Sequence, residues 1–585
     1  MRLRFSDSCY LHMITAVFIP LLPLLAAMLI GWLGKPLRSH VALIGIVATA
    51  GSGLFSFLTL YQVATEGPIH LTFWASGQEA SPALTVGMLV DRLTAVMMVL
   101  ISSVSTVIHL YSRRYLHGDP GYRRFFGLLG LMTFTILSLV ASSNFLMLFL
   151  FWQLLSWVLY LLLAFNVSHS LASEYARKTL LIHRIGDVSF LCGLLLIYQY
   201  FGTFEFVAVF QQAASDPPMI RLWAGAPFEC SIVPMIALLI FVGAMAKSAQ
   251  FPLHVWLPDT MDSPTPVSAL MHAGIINAGG FLLNRLAPLY ALSPTTLHLV
   301  FVVGVGTVLL GASMMLVQND IKKTLGFSTM GQMGYMIMEC GLGAFALAIF
   351  HLIAHGFFKA TLFLASGSLI QAARHEPKFP PTSGHRPTRL PTGLTWTTGL
   401  IVTLLMPLFI LLVAHGVLEV PLQDAHGAVI FLFFGWVTAS QAIFSLYRLQ
   451  AVASWKVAGA MIGTLFFIGF VYLWAGETFT HFLYPDPGVA DGFFNAAAFP
   501  PQVFDALILL ATLVVLFGWL ILYTTVRGQK ILNPHWVLSI RQTGWVLFIN
   551  RCYVDGLYKK LGHALLRLAE KVAYRYEPWS KEDVS

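Results

Sequence analysis

The sequence predicts an all-α protein that crosses a membrane about fifteen times. Of its 585 residues, 57% are hydrophobic and only 10% are Asp, Glu, Lys or Arg. Soluble domains carry about a quarter of charged residues, so this composition indicates lipid as the surrounding solvent. Apolar runs of about twenty residues recur along nearly the whole chain, and a helix of that length spans a hydrocarbon core of about 30 Å.

The apolar runs between polar breaks predict the individual helices. They cover 14–33, 41–63, 84–111, 125–141, 144–165, 179–201, 232–250, 266–287, 297–317, 327–341, 344–370, 395–415, 427–447, 457–475 and 503–525. A basic, amphipathic helix follows at 551–579, suited to lie on the anionic inner leaflet or to dock a cytoplasmic partner. We divide the chain into N-terminal transmembrane helices (1–125), a core (126–450), C-terminal transmembrane helices (451–530) and a cytoplasmic tail (531–585).

Basic residues fall in alternate predicted loops, and short basic loops stay in the cytoplasm. One side holds sixteen of them: Lys35, Arg38, Arg113, Arg114, Arg123, Arg124, Arg177, Lys178, Lys322, Lys323, Arg374, Lys378, Arg386, Arg389, Arg448 and Lys456. The opposite loops contain Arg221 and otherwise acids such as Glu66 and Glu79. We therefore expect a multi-pass protein of the bacterial inner membrane with a periplasmic N-terminus and a cytoplasmic C-terminus, although Arg2 and Arg4 run against this orientation.

The composition also indicates which cofactors and partners to expect. The formal net charge of +8 is explained by the basic loops, so the lipid bilayer is an expected partner and nucleic acid is not. The cysteines are scattered, without the paired spacing of a disulfide framework or a zinc site. They are Cys9, Cys192, Cys230, Cys340 and Cys552. No metal or other cofactor is therefore expected in this chain.

Lys247 is the first ionisable residue that the pattern places inside the membrane. It lies about fifteen residues into the apolar helix at 232–250 and five residues before Pro252. A charge at the bilayer centre costs about 2.5 to 3.5 kcal/mol on insertion scales, so a lysine kept there suggests a function. Lys247 is suited to take up and release a proton.

The segment after Lys247 cannot form a continuous helix, because proline lacks the backbone donor and clashes with the preceding turn. The prolines are Pro252, Pro258, Pro264 and Pro266. Irregular backbone at membrane depth is tolerated only inside protein or beside water, so the segment is predicted to line an aqueous cavity. His254, Asp259 and His272 are candidates to pass protons there, although His254 and Asp259 fit a cap or turn equally well.

A second set of candidates repeats along one helix. His351, His355 and Lys359 are spaced by four residues in FHLIAHGFFKATLF. Each step advances about 6 Å along a helix and turns only about 40° around it, so the three side chains form one polar stripe. One histidine would fit a structural hydrogen bond, but three aligned basic groups in an apolar segment favour a hydrated conduction path.

Asp187 is the third candidate, close to Arg184 near the start of a helix. Residues three apart on a helix are neighbours, so the two could form a local ion pair that orients the helix. Asp187 could equally set the pKa of Lys247. Both interpretations stay open at this point.

Three long motifs in order resemble the antiporter-like subunits of respiratory complex I and of Mrp-type cation antiporters. They are GAMAKSAQFPLHVWLPDTMDSPTPVSALMHA, NDIKKTLGFSTMGQMGYM and FHLIAHGFFKATLFLASGS, within a resemblance that spans about 91–371. It implies that the core contains inverted five-helix repeats with broken helices. It also implies conducting roles for Asp187, Lys247, His351, His355 and Lys359.

Two departures distinguish the chain from complex I subunits. Those subunits carry an intramembrane glutamate that pairs with the central lysine, whereas FLFWQLLSWVLYLLL has Gln153 at that place. Their second half also contains a lysine-bearing helix, and LPTGLTWTTGLIVTLLMPLFILLVAHGVL has no lysine. Both departures are similar to the membrane subunit of the DAB inorganic-carbon accumulation complexes, whose C-terminal segment resembles NRCYVDGLYKKLGHALLRL.

The DAB resemblance implies a complex of two kinds of chain. A cytoplasmic, zinc-dependent, carbonic-anhydrase-like partner would hydrate carbon dioxide, and this chain would supply energy by conducting a cation, with protons expected. It would then be a transport subunit and not itself an enzyme. A proton- or sodium-translocating subunit of a complex I-like or Mrp-type assembly is the alternative, and a non-conducting scaffold is a third hypothesis.

Overall fold

The computed structural model describes residues 7–33, 40–76, 84–166, 170–221, 229–318, 320–375, 474–500 and 535–576, and single positions between 463 and 513. Its α-helices are α1 (Asp7–Leu33), α2 (Val41–Glu66), α3 (Arg92–Tyr115), α4 (Tyr122–Val140), α5 (Phe145–Leu163), α6 (Ser170–Phe201), α7 (Phe206–Ser215), α8 (Val233–Lys247), α9 (Thr265–Leu270), α10 (Ala278–Arg285), α11 (Ala287–Ala291), α12 (Pro294–Leu316), α13 (Ile321–Gly341), α14 (Phe345–His375), α15 (Pro487–Ala497), α16 (His535–Ile549) and α17 (Val554–Tyr576). Residues 474–483 are also helical.

The predicted all-α membrane architecture is confirmed. Nine of the described helices are long and apolar enough to cross a membrane by length and composition. Two further predicted spans are present as the shorter α8 and as α13. The remaining predicted spans, at 395–415, 427–447, 457–475 and 503–525, lie outside the continuously described residues, as does the lysine-free segment near 390–418.

The prediction of one helix over 84–111 is wrong at its start. Residues Leu84–Val90 form strand β2, which pairs antiparallel with β1 (Ile69–Ser76). The sequence LTVGMLV is exposed at its start and mostly buried from Gly87 onwards. Helix α3 begins only after Asp91, whose side chain accepts a hydrogen bond of 2.9 Å from the backbone N–H of Thr94.

The proline-rich segment interrupts the helical order as predicted. Helix α8 ends at Lys247, and turns lead to a 3-10 helix at Leu257–Asp262 before α9 starts at Thr265. A π-helical turn, Met271–Ile275, then separates α9 from α10. The predicted span 266–287 is therefore present, but as a broken helix, and that break lies beside the candidate site.

The C-terminal tail contains the predicted amphipathic helix. Helix α17 follows a short kink at Arg551–Tyr553, where three residues have positive φ values of 54° to 58°. Tyr553, Leu557, Leu561 and Leu568 are each at least half exposed, so an apolar stripe of the tail faces away from the protein. The start of the tail packs against the broken segment through ion pairs.

Candidate ion pathway

Five polar residues on three helices form what we call the central cluster: Trp152 and Gln153 of α5, Arg184 and Asp187 of α6, and Lys247 of α8. Helices α6 and α8 approach closely because Gly186 lies against α8. A Cβ atom built at Gly186 would lie 2.4 Å from the Cβ of Ala246, so only glycine fits. Small residues permit such close packing of helices in membranes, and this packing brings the neighbours Asp187 and Lys247 together.

Lys247 is fully buried and hydrogen bonded within the protein. Its Nζ donates to the backbone carbonyl of Trp152 at 2.9 Å and to the hydroxyl of Ser156. The ammonium also lies 5.1 Å from the centre of the Trp152 ring, a distance typical of a cation–π contact. An ammonium has three donors, so these partners leave one for a further acceptor.

Asp187 is linked to the lysine through Trp152 and not by direct contact. The indole N–H of Trp152 donates to Asp187 Oδ1 at 2.9 Å, and Arg184 forms an ion pair with Asp187 Oδ2 at 3.0 Å. Arg184 also donates to the side-chain oxygen of Gln153. Within the described residues no ion pair joins Asp187 to Lys247, although the carboxylate is close enough to act on the lysine electrostatically. The local ion pair anticipated from the sequence is therefore present, and a coupled role stays a prediction.

A second group, the histidine cluster, consists of His351, His355 and Lys359 of α14, His272 of the π-helical turn and Glu339 of α13. All five side chains are buried. The rings of His351 and His355 are 6.3 Å apart, and Lys359 donates to Ser328 Oγ at 2.8 Å. Lys359, His351 and His272 all act electrostatically on His355. The predicted stripe is thus a connected group of basic side chains.

Glu339 was not among the residues predicted from the sequence. Its Oε2 lies 3.1 Å from Nδ1 of His351, whose Nε2 lies 2.9 Å from the side-chain oxygen of Gln332. The signal was available, since Glu339 lies in the apolar stretch YMIMECGLG and an ionisable residue within a predicted span is a functional candidate by default.

A third group, the tail cluster, lies where the broken segment meets the C-terminal tail. Asp259 pairs with Arg551 at 2.7 Å and with Lys178 at 2.6 Å, and Arg551 also pairs with Asp555 at 2.8 Å. Lys178 contacts Asp555 as well, which closes a ring of alternating charges. Burial alone would raise the pKa of Asp259, but hydrogen bonds and charges from Arg551 and Lys178 hold it below the ordinary value.

The two histidines of the broken segment lie in different surroundings. His254 is buried in the turns that follow α8, stacks on Phe251 and lies within electrostatic reach of the tail cluster. His272 stacks on Phe363 with ring centroids 4.3 Å apart and belongs to the histidine cluster. Nine of the ten predicted residues thus belong to the three clusters, with His254 beside the tail cluster, and their roles in conduction stay predictions.

No group of three or more His, Cys, Asp or Glu side chains suited to a metal ion occurs in the part of the chain that the structure describes. Each cluster instead contains at least one Lys or Arg side chain, whose cationic donors repel a metal ion. The chemistry available to these residues is proton transfer and electrostatic stabilisation of a mobile charge.

Comparison with known proteins identifies the family. The model of the NADH:quinone oxidoreductase/Mrp antiporter transmembrane family matches residues 142–440, and that of the N-terminus of complex I chain 5 matches residues 74–126. A probable inorganic carbon transporter subunit, DabB1, of Halothiobacillus neapolitanus is 38% identical over 573 residues, which cover 96% of this chain and 98% of that protein. The chain belongs to the DabB family of antiporter-like membrane subunits. This membership confirms the resemblance drawn from the sequence.

More distant relatives agree with the DabB assignment. The NADH-quinone oxidoreductase subunit L of Neisseria meningitidis is 38% identical over 396 residues, but the match covers only 57% of that protein. A chain of the Mrp complex of a Dietzia species superimposes with a TM-score of 0.59 at 22% identity, over 98% of this chain and 64% of that one. The likeness to the Mrp chain supports the antiporter-like fold, and all three relatives are membrane subunits of larger assemblies.

Proposed function

We propose that this DabB-family chain is the cation-conducting membrane subunit of an energy-coupled complex that accumulates inorganic carbon. The observation that carries the proposal is the histidine cluster, in which two histidines and a lysine are buried in line on one helix of a membrane protein. Burying basic groups in a membrane protein costs free energy, so their retention indicates a role in carrying a charge. The near full-length match to a probable inorganic carbon transporter subunit supports the choice of substrate class.

In the proposed mechanism, protons enter from the outer side of the bacterial inner membrane and pass along His351, His355 and Lys359. The 6.3 Å between the two imidazole rings exceeds a hydrogen bond, so transfer requires a bridging water or rotation of a ring. Lys247 then accepts and releases the proton. Because Lys247 is buried in the central cluster, this transfer requires its hydrogen bonds with Trp152 and Ser156 to break. Conduction would therefore be gated and not continuous.

The partner is proposed to be a cytoplasmic, zinc-dependent, carbonic-anhydrase-like subunit, in a heterodimer or a larger complex. Its zinc site would lie in the partner, with no cofactor needed in this chain. The positive-inside distribution supports an orientation with the N-terminus in the periplasm and the C-terminus in the cytoplasm. Helix α17 would then present its exposed apolar stripe on the side where the partner works.

The test is co-expression of the chain with its partner in cells that lack carbonic anhydrase. We expect growth in air to be rescued and bicarbonate uptake to stop when a protonophore collapses the proton gradient. Lys359→Ala should abolish uptake with normal assembly, whereas Lys323→Ala, at an exposed position outside the clusters, should not. Uptake that ignores the protonophore and a sodium ionophore would refute energy coupling, and full activity of Lys359→Ala would favour a non-conducting scaffold.

The alternative function is a proton- or sodium-translocating subunit of a complex I-like or Mrp-type antiporter. The fold similarity to a chain of an Mrp complex favours it. Gln153 argues against it, because the central cluster then has no carboxylate on α5 to pair with Lys247. Purification of the native complex discriminates the two: one soluble partner supports carbon accumulation, and many membrane subunits support the antiporter.

A further inference from the structure

Glu339 is a buried carboxylate whose two oxygens have different surroundings. Its side chain is only 1% exposed, and Oε2 contacts His351 Nδ1 at 3.1 Å. No hydrogen-bond donor for Oε1 occurs among the described residues. A buried carboxylate oxygen without a donor is costly, because the lost hydration is not replaced. Glu339 is therefore expected to hold a proton for part of its working cycle.

Gln332 determines which nitrogen of His351 faces the carboxylate. With the amide oxygen of Gln332 accepting at 2.9 Å, Nε2 of His351 carries a hydrogen. In the neutral imidazole Nδ1 is then an acceptor and requires a proton on Glu339 Oε2, whereas in the imidazolium Nδ1 donates to the carboxylate. In either form one proton lies between the two groups. Glu339 and His351 thus form a pair that shares a proton.

The position of Glu339 places this pair at the outer end of the histidine cluster. Helix α13 begins next to Lys322 and Lys323, on the basic side of the chain, and Glu339 lies two residues before its other end at Gly341. Helix α14 starts again at that end, so His351, His355 and Lys359 lie progressively further from it by about 6 Å a step.

A cavity of about 540 Å³ lies on the same outer side. Its walls include Asp91, Asn284, Arg285 and Tyr484. The amide nitrogen of Asn284 is 3.6 Å from the thiol sulfur of Cys340, the residue that follows Glu339 in α13. The cavity wall is mostly apolar, but its polar residue Asn284 thus contacts the neighbour of Glu339 in the chain. Helix α14 has no carboxylate of its own.

We propose that Glu339 is the outer proton acceptor of the pathway, taking protons from this cavity and delivering them to His351. The inference rests on the proposed function and deepens it by naming the group that loads the path. A proton arriving at Oε1 is taken up by the carboxylate as the proton shared between Oε2 and Nδ1 passes to His351. The imidazolium so formed then releases one proton towards His355. The glutamate–histidine pair as a whole gains one proton and loses one, so it ends the step with the number of protons that it had before.

The test uses the full complex in the same uptake assay. Glu339→Gln preserves the shape of the side chain and a hydrogen bond to His351 but cannot carry a proton. We expect at least a tenfold loss of uptake with normal assembly, and recovery of a substantial part by Glu339→Asp. Glu477→Gln is the matched control, because Glu477 forms an exposed pair with His481 at the same 3.1 Å. Wild-type uptake by Glu339→Gln would overturn the proposal.

Two measurements keep the outcomes distinct. If Glu339→Gln fails to assemble, the wild-type complex is treated with dicyclohexylcarbodiimide, which reacts with protonated carboxyls in apolar surroundings. An adduct on the peptide that contains Glu339, with loss of uptake, supports the proposal, and no adduct between pH 6 and 9 overturns it. Wild-type uptake that resists the protonophore would instead refute the proposed function, which separates the two failures.

Discussion

The ion pairs of the tail cluster predict that the substitution Asp259→Asn will weaken the attachment of the C-terminal tail to the broken segment. Asp259→Asn removes the negative charge that joins Arg551 and Lys178, while the amide has nearly the same shape. Asp259 is only 8% exposed, so water replaces the lost contacts poorly. The two cations would then face Asp555 alone, and the attachment of the tail to the broken segment should weaken.

The magnitude follows from the hydrogen bonds at stake. A hydrogen bond to a charged group contributes about 1.5 to 3 kcal/mol, and the asparagine can retain one weaker bond, so we take the loss of one such bond as the net effect. Each 1.4 kcal/mol is a factor of ten, so the fraction of molecules with a detached tail should rise about 10- to 150-fold.

Hydrogen–deuterium exchange of residues 551–576 in the purified protein measures this fraction. Backbone amides at the start of α17 should exchange faster in Asp259→Asn by the same factor, while Lys559→Ala, at an exposed position of the same helix, should exchange as the wild type does. Unchanged exchange in Asp259→Asn would refute the assigned ion pairs. A shift of similar size in Lys559→Ala would show that the effect does not depend on the cluster.

The pH dependence of the tail gives a check with a defined sign. Because the folded pKa of Asp259 lies below its ordinary value, the ion pairs stabilise the attached tail above the unfolded pKa of 3.8. That stabilisation is lost as the pH falls through the lower folded value. Protection of α17 should therefore be constant from neutral to mildly acidic pH, and a loss centred near pH 6 would point to a different group.

Two further substitutions test the helix packing around α8 and the hydrogen bonding of the central cluster. Gly279→Ala should destabilise the protein by about 1 to 3 kcal/mol, because a Cβ atom there would lie 2.3 Å from Ser248 Oγ. Thermal unfolding in detergent measures this loss of stability. Gly562→Ala is the control, because a Cβ atom at Gly562 meets nothing within 4 Å. Trp152→Phe removes the indole donor to Asp187 while keeping an aromatic ring, so uptake should fall about tenfold with little change in assembly; unchanged uptake would show that this hydrogen bond is dispensable.

The sequence predicts the spans well because burial in lipid demands long apolar runs, and such runs survive in any packing arrangement. It fails at 84–90, where the residues are apolar enough for a helix but pair as a strand with 69–76. A short apolar run fits both structures, and only the partner strand decides between them. The broken segment was predictable for a local reason, since the prolines act on their own turn.

Candidate residues are predictable when their own helix carries the signal, as with His351, His355 and Lys359. Contacts between distant segments have no such signal. The pairing of Lys178 with Asp555 joins residues 377 positions apart. The hydrogen bonds of Trp152 to both Asp187 and Lys247 require three helices to meet. Spacing along the chain contains no information about these distances. They depend on close helix packing of the kind that Gly186 permits.

In the proposed pathway, the distribution of charge over the clusters favours movement of protons inwards. In the central cluster Arg184 already offsets Asp187, so a protonated Lys247 leaves the group with a net positive charge, and Gln153 contributes none. At the proposed outer end, the Glu339–His351 pair with its one shared proton has no net charge. Like charges repel strongly where water is excluded, so proton uptake is favoured at the neutral pair and proton release at the positively charged central cluster. A carboxylate in the place of Gln153 would offset this positive charge and hold the proton on Lys247, whereas the neutral glutamine leaves the lysine able to release it.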